Sequence, residues 1–200
     1  MKTLALDLSS ARGRIALFNS EKLAFDREWP NDRKNSGPFF EHLAEVQKQF
    51  GKPDTIIVGL GPGSYAGTRI AISAAIGLQV ASNTRLLGYP SICAIESDSS
   101  EYCVVGDARR QTFFFARARD NELIEGPTLM REAELRENLA KIDRKMSILT
   151  TENLPQFERA VLRYPSAKLL AKLADSKREF AQPPLEPMYL REPHITIPKR

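Results

Sequence analysis

Gly59-Leu60-Gly61-Pro62-Gly63-Ser64-Tyr65-Ala66-Gly67-Thr68-Arg69 follows an apolar β-branched run, Thr55-Ile56-Ile57-Val58, and precedes small and apolar residues from Ile70 to Ala81. That order reads as strand, glycine loop and helix. Glycines at such a junction let the backbone approach something closely, because no Cβ stands in the way. The free N–H groups of a first helical turn favour an anion there. The stretch has two readings. In one, Gly61, Gly63, Ser64 and Gly67 cradle a phosphate. In the other, they form a tight turn that lets a helix pack hard against a sheet.

The known loop types fit poorly. A Walker loop ends in Gly-Lys-Ser/Thr, and Gly67-Thr68 has no lysine. A dinucleotide fingerprint follows the first strand of a βαβ unit, whereas this loop follows the fourth expected strand. A nucleophile elbow needs Gly-x-Ser-x-Gly, and Pro62 stands two residues before Ser64. The helix after the loop, expected from about Thr68 to Ser82, carries Ser73, Gly77 and Ala81 four residues apart, widened by Ala71, Ala74 and Ala75. Small residues at that spacing let another helix come close. The partner is either the protein's own core or a second subunit.

Upstream, Thr3 to Leu8, Gly13 to Phe18 and Lys22 to Trp29 read as three strands of an antiparallel meander. Asp7-Leu8-Ser9-Ser10 closes the first of them. An Asp at such a strand end can hold a metal–phosphate, and Ser9 and Ser10 can donate to phosphate oxygens; the same residues also satisfy turn N–H groups. A helix then runs from Ser36, with Pro38 in its first turn, through Phe39, Leu43, Val46 and Phe50 to a stop at Gly51. Leu86-Leu87 is a short strand. After the polar break Asp98-Ser99-Ser100-Glu101 the order restarts: Tyr102 to Asp107, Thr112 to Arg119 and Leu123-Ile124 are strands. Helical patterns lie near Glu132 to Ala140 and Ser166 to Ala174, with a strand from Met146 to Thr150 between them. The chain thus divides near residue 98 into two halves, 1–98 and 99–200, each opening with a meander whose first strand ends in Asp. That order suggests a duplication.

Composition narrows the function. Two hundred residues with 42% hydrophobic and 27% charged residues are ordinary for a globular protein. A net charge of +4 permits an acidic partner such as RNA without requiring one. The two cysteines, Cys93 and Cys103, form no CxxC, which points to a reducing cytosol. The N-terminal apolar stretch is broken by Asp7 and is not a signal peptide, and no apolar run is long enough for a membrane span. The two histidines, His42 and His194, have no partner spacing for a metal site. Asp107-Ala108-Arg109-Arg110 offers two arginines for phosphate or carboxylate, or a solvated hairpin turn.

Taken together, the Asp-x-Ser-Ser strand end, the GPGSYAGTR loop with its small-residue helix, Asp-Ala-Arg-Arg before a strand, and Tyr189-Leu190-Arg191 resemble the TsaB (YeaZ) family. The glycine-loop motif is the most specific part. The resemblance implies an α/β fold of two subdomains in the actin/Hsp70/sugar-kinase (ASKHA) class, with mixed sheets flanked by helices. It implies a non-catalytic cytoplasmic subunit required for threonylcarbamoyladenosine (t6A) formation in ANN-decoding tRNAs. It further implies a TsaD-like catalytic partner that carries the ATP and metal chemistry, a TsaE-like ATPase as a further partner, a homodimer in isolation and indirect or weak tRNA contact. The interface is then expected on Phe39, Leu43, Val46 and Phe50 of the first helix and Arg69, Ser73, Gly77 and Ala81 of the second. Asp7, Ser9, Ser10 and the loop residues become a vestigial nucleotide site. The chain departs from the family pattern at Leu8, at Asn35-Ser36-Gly37, at Gln111-Thr112 and in a shortened stretch from Ser91 to Glu101. The alternative is a small ATPase or kinase of the same fold class, with Asp7 and Asp107 ordering Mg²⁺ and water.

Overall fold

In the computed structural model, which describes residues 1–32 and 35–191, two five-stranded mixed sheets succeed one another along the chain. His194 falls outside the described residues. In the first half, β1 (Lys2–Asp7), β2 (Arg12–Asn19) and β3 (Lys22–Pro30) form the meander. The chain then continues through α1 (Gly37–Phe50), β4 (Thr55–Gly59), α2 (Tyr65–Ser82) and β5 (Arg85–Tyr89). The order is β3-β2-β1-β4-β5, with β4 parallel to β1 and β5 parallel to β4. After a 3-10 turn at Ser91–Ala94, the second half repeats the plan with β6 (Glu101–Asp107), β7 (Thr112–Arg119), β8 (Glu122–Arg131), α3 (Glu132–Lys141), β9 (Ser147–Thr150) and β10 (Ala160–Leu162). Its order, β10-β9-β6-β7-β8, is the first sheet's order element for element. The duplication suggested by the order of elements is therefore a duplication of topology.

Several bounds differ from the sequence reading, each for a local reason. Helix α2 starts at Tyr65, three residues earlier than expected, because the Ser64 hydroxyl accepts the Gly67 N–H and caps it. Strand β8 has ten residues where the sequence suggested only Leu123-Ile124. Gly126-Pro127 interrupts its pattern, and the register with β7 shifts there. Strand β10 is three residues long, parallel to β9 and at the sheet edge, too short to leave a periodic signal.

Burial explains the helices. Phe39, Leu43 and Val46 of α1 sit in the core of the first sheet with Leu4, Leu6, Ile15 and Leu17. Trp29 covers that helix, its ring 4.9 Å from His42 and 6.4 Å from Phe39. A separate cluster beneath α3 joins Leu135 and Leu139 to Phe113, Phe115 and Phe157. The third cluster belongs to both halves. Helix α4 (Ala167–Leu173) comes from the second half yet packs on β1, β2 and β4 of the first. Its Leu170 and Ala171 meet Ala5, Ala16 and Ile57 on one side, and Tyr102, Val104 and Phe114 join them from the second sheet. Tyr102 is fixed there by its hydroxyl, which donates to the Ile92 carbonyl at 3.0 Å. Cys93 and Cys103 are free and buried, and burial pushes their thiols up to about 12 and about 11.

Because α4 is shared, damage to it should loosen both sheets together. Leu170 is fully buried, so Leu170→Ala should cost about 2–5 kcal/mol. Urea unfolding followed by fluorescence and by far-UV circular dichroism should show one coincident, shifted transition. Two separated transitions, or a loss under about 1 kcal/mol, would mean that α4 does not join the halves.

Candidate functional site

The glycine loop lies directly on the end of β1. A Cβ on Gly63 would fall within 3.0 Å of the Ser9 carbonyl oxygen, and one on Gly67 within 3.0 Å of the Leu8 carbonyl oxygen. The Ser64 N–H donates to the Ser9 carbonyl at 2.6 Å. The space that the missing Cβ atoms open is thus filled by the chain's own backbone, as the tight-turn reading requires. The loop is held from the other side by Ser91. Its hydroxyl accepts the Gly61 N–H at 2.9 Å, and its own N–H donates to the Gly61 carbonyl at 2.8 Å.

Asp7 sits beneath this contact, 1% exposed. Its Oδ1 accepts the Ser9 N–H at 2.9 Å and the Ser9 hydroxyl at 2.7 Å. Oδ2 points toward Gly59 and makes no hydrogen bond of good geometry, although the Ser91 hydroxyl lies close enough to favour its charged form. Burial dominates and raises the Asp7 carboxyl above the ordinary range; Ser91, Ser9 and the charge of Arg14 oppose it. Arg14 lies opposite Asp7 in the β1–β2 register but is paired with Glu28 at 2.6 Å. Ser10 is used locally: its hydroxyl donates to the Arg12 carbonyl and accepts the Arg12 N–H. The expected set of Asp7, Ser9, Ser10, Gly61, Gly63, Ser64 and Gly67 therefore lies together, its polar groups engaged by one another or by the neighbouring Leu8, Arg12 and Ser91.

Beside the loop an open cleft of about 370 Å³ separates the halves. Gly63, Ser64, Tyr65 and Thr68 form one wall, Asp107 to Arg109 the other. The hairpin turn there holds three successive residues, Arg109, Arg110 and Gln111, at φ 67, 53 and 58°, a conformation that non-glycine residues seldom adopt in series. Arg109 folds back on Asp107, its guanidinium 2.8 Å from Oδ2. The C-terminal segment crosses the mouth. The Met188 N–H donates to the Leu60 carbonyl at 2.8 Å. Tyr189 stacks on Tyr65 at 5.5 Å, Arg69 donates to the Tyr65 hydroxyl at 2.7 Å, and Arg191 hydrogen-bonds Thr112. This strap has no periodicity, and only the Tyr-Leu-Arg triplet in it carried a signal. Among the described residues no three His, Cys, Asp or Glu side chains are grouped to hold a metal ion.

The expected interface residues divide. Phe39, Leu43 and Val46 are buried in the first core, and Phe50 is half-buried with its ring 6.2 Å from Phe25. Those side chains are engaged inside the molecule, because an amphipathic helix on a sheet must turn its apolar stripe inward. Arg69, Ser73, Gly77 and Ala81 lie instead on the exposed face of α2, and a Cβ at Gly77 would meet nothing within 4 Å.

The buried carboxyl gives a pH test. A raised carboxyl in the folded state means that the fold is unburdened below the ordinary carboxylate range and loses stability as the pH climbs through the raised value. Asp7→Asn keeps an acceptor for Ser9 and removes the charge. It should melt higher than the wild type at about pH 8, with the gap closing toward about pH 4. A gap that does not vary with pH, or a lower melting point at the higher pH, would contradict this placement of Asp7.

Comparison with known proteins agrees with the architecture. A crystal structure of an uncharacterized protein with similarity to peptidase YEAZ, from Pseudomonas aeruginosa, superposes with a TM-score of 0.76 at 19% identity, covering 95% of this chain and 99% of that one. YeaZ from Pseudomonas aeruginosa superposes with a TM-score of 0.74 at 20% identity, covering 94% and 99%. These likenesses establish the fold, in keeping with the TsaB (YeaZ) resemblance of the loop motif. An uncharacterized protein of Mycobacterium leprae is 31% identical over 93 residues, 44% of this chain. The match spans only 24% of that curated relative's length. No helix among the described residues is long and apolar enough to cross a membrane. Residues 38–188, well over half of the chain, match the family described as TsaD, tRNA N6-adenosine threonylcarbamoyltransferase, and the chain belongs to that family.

Proposed function

We propose that this chain is a non-catalytic partner subunit in t6A formation on tRNA, holding a TsaD-like catalytic subunit through the exposed face of α2. The observation that carries the proposal is the way the glycine loop is used. Gly63 and Gly67 are occupied by the backbone of Leu8 and Ser9, Ser64 by the cap of α2, and Ser9 and Ser10 by their own turn. A loop so engaged serves to fix the position of α2. That helix then presents Ser73, Gly77 and Ala81 outward, a row flat enough for a second helix. The family and the YeaZ-like fold support the t6A setting. In this reading ATP and a metal belong to the partner, a TsaE-like ATPase joins the assembly, the isolated chain pairs with itself through the same face, and the work is cytoplasmic.

The second reading, a small ATPase of this fold class, draws on one observation: a buried carboxyl, raised by its burial, at Asp7 beneath the loop that walls an open cleft. Mg-ATP turnover by the isolated chain that disappears in Asp7→Ala would favour it. We expect no such turnover.

Two outcomes are expected from the partner reading. Cells depleted of this protein should lose t6A from their tRNAs; normal t6A, with no second copy of the family present, would remove the assignment. Gly77→Leu should fold, since the added side chain enters open space and replacing a helix-interior glycine adds up to about 1 kcal/mol. It should nonetheless weaken self-association and co-purification with the TsaD-like subunit. An unchanged assembly with a folded Gly77→Leu chain would place the interface elsewhere.

A further inference from the structure

A second concavity, about 390 Å³, lies at the far edge of the second sheet, away from the cleft and from α2. Its floor is β9 and the edge strand β10. Four cations line it: Arg144 and Lys145 on the turn entering β9, and Arg159 and Arg163 at the two ends of β10. Two carboxylates, Glu96 and Asp98, stand on the opposite rim, and Glu96 is engaged by the Ser166 hydroxyl at 2.7 Å. Arg144, Lys145 and Arg163 are exposed, and none forms an ion pair with a described residue. The strand arginines Arg14, Arg117 and Arg119, by contrast, are paired with glutamates. Arg159 is rigidly held, donating to the carbonyls of Leu139, Ile142 and Asp143 at the end of α3.

The spacing selects the ligand. Arg159 and Arg163 flank β10 four residues apart, about 13 Å at the rise of a strand. The Arg159 guanidinium is turned to the carbonyls at the end of α3, so the two do not converge on a single phosphate or carboxylate. Unpaired cations spread along a groove suit a chain of phosphates, and contact to such a chain is sequence-independent. Val161, 46% exposed between them, offers an apolar surface to a ribose or base. We infer that the groove formed by Arg144, Lys145, Arg159 and Arg163 is a phosphate-backbone contact for RNA. That the RNA is a tRNA rests on the proposed function.

The test is binding of an unmodified tRNA transcript to the full chain, read by fluorescence anisotropy at several salt concentrations. The variant Arg144→Glu/Lys145→Glu/Arg163→Glu spares Arg159, which anchors α3. It should bind about tenfold or more weakly at low salt, and its dependence of log affinity on log salt should flatten by about three. The control Lys22→Glu/Lys48→Glu/Lys177→Glu changes the net charge equally at sites elsewhere and should keep the wild-type slope. Equal losses in both variants would reduce the effect to net charge and overturn the groove. So would absence of binding by the wild type, or an unchanged groove variant; the arginines then only keep an edge strand unpaired. These outcomes are separate from t6A levels in depleted cells. Normal t6A with groove-dependent binding removes the proposed function and keeps the groove; lost t6A with groove-independent binding does the reverse.

Discussion

The contact between the glycine loop and the end of β1 sets the position of nearly everything else in the first half. Two carbonyls, of Leu8 and Ser9, occupy the places where side chains of residues 67 and 63 would project. Ser64 both bonds back to Ser9 and caps α2. The axis of α2 is thereby fixed relative to the sheet within one short loop. An added methyl at either glycine would need the backbone to part from β1, because the obstacle is a carbonyl and not the movable tip of a side chain. The same contact seals Asp7 away from water. A burial cost at Asp7 and a fixed helix are two results of one close approach.

Legibility in the sequence followed the kind of force involved. The apolar stripe Phe39, Leu43, Val46 was readable as a helix because burial against a sheet imposes a period. Its partner was not readable, since the same stripe serves a core or an interface; the core took it. The strand ends at Asp7 and Asp107 were readable because β-branched and apolar runs stop abruptly at a charge. The strap over the cleft was not. Its contacts are a backbone bond from Met188, a ring stack at Tyr189 and a hydrogen bond at Arg191, and none of these leaves a periodic trace. Strand β8 was hidden for another reason. It lies at a sheet edge with seven of its ten residues exposed, so its composition follows solvent more than packing.

The chain forms two separate sheets but not two separate cores. The chain passes from one sheet to the other between β5 and β6, yet α4 returns to cover β1, β2 and β4. Residues from both sheets meet around Leu170. A cleft between two halves that share a buried helix can flex only as far as that helix permits, because close-packed interiors transmit strain. The C-terminal segment adds a second tie further along the chain, where Gly88 pairs with Ala181. The cleft is bounded by two linkages, and any opening has to rotate about one or break the other.

The two halves repeat one topology, and their equivalent aspartates show how each half uses it. Asp7 is dry, bonded to Ser9 and covered by a loop that comes after the fourth strand. Asp107 is wet, and its charge is met by Arg109 on an exposed turn. The difference lies in the segment that leaves each fourth strand. In the first half β4 leads into glycines that can descend on β1. In the second, β9 leads through Glu152, Asn153 and Leu154 to β10, and no glycine is there to permit a descent. The second strand end consequently stays open to solvent and needs an ion pair in place of a lid, whereas the first has the lid and must tolerate the cost of a buried carboxyl. Duplicated scaffolds diverge most readily at such points, where a few glycines decide whether a polar strand end meets water or backbone.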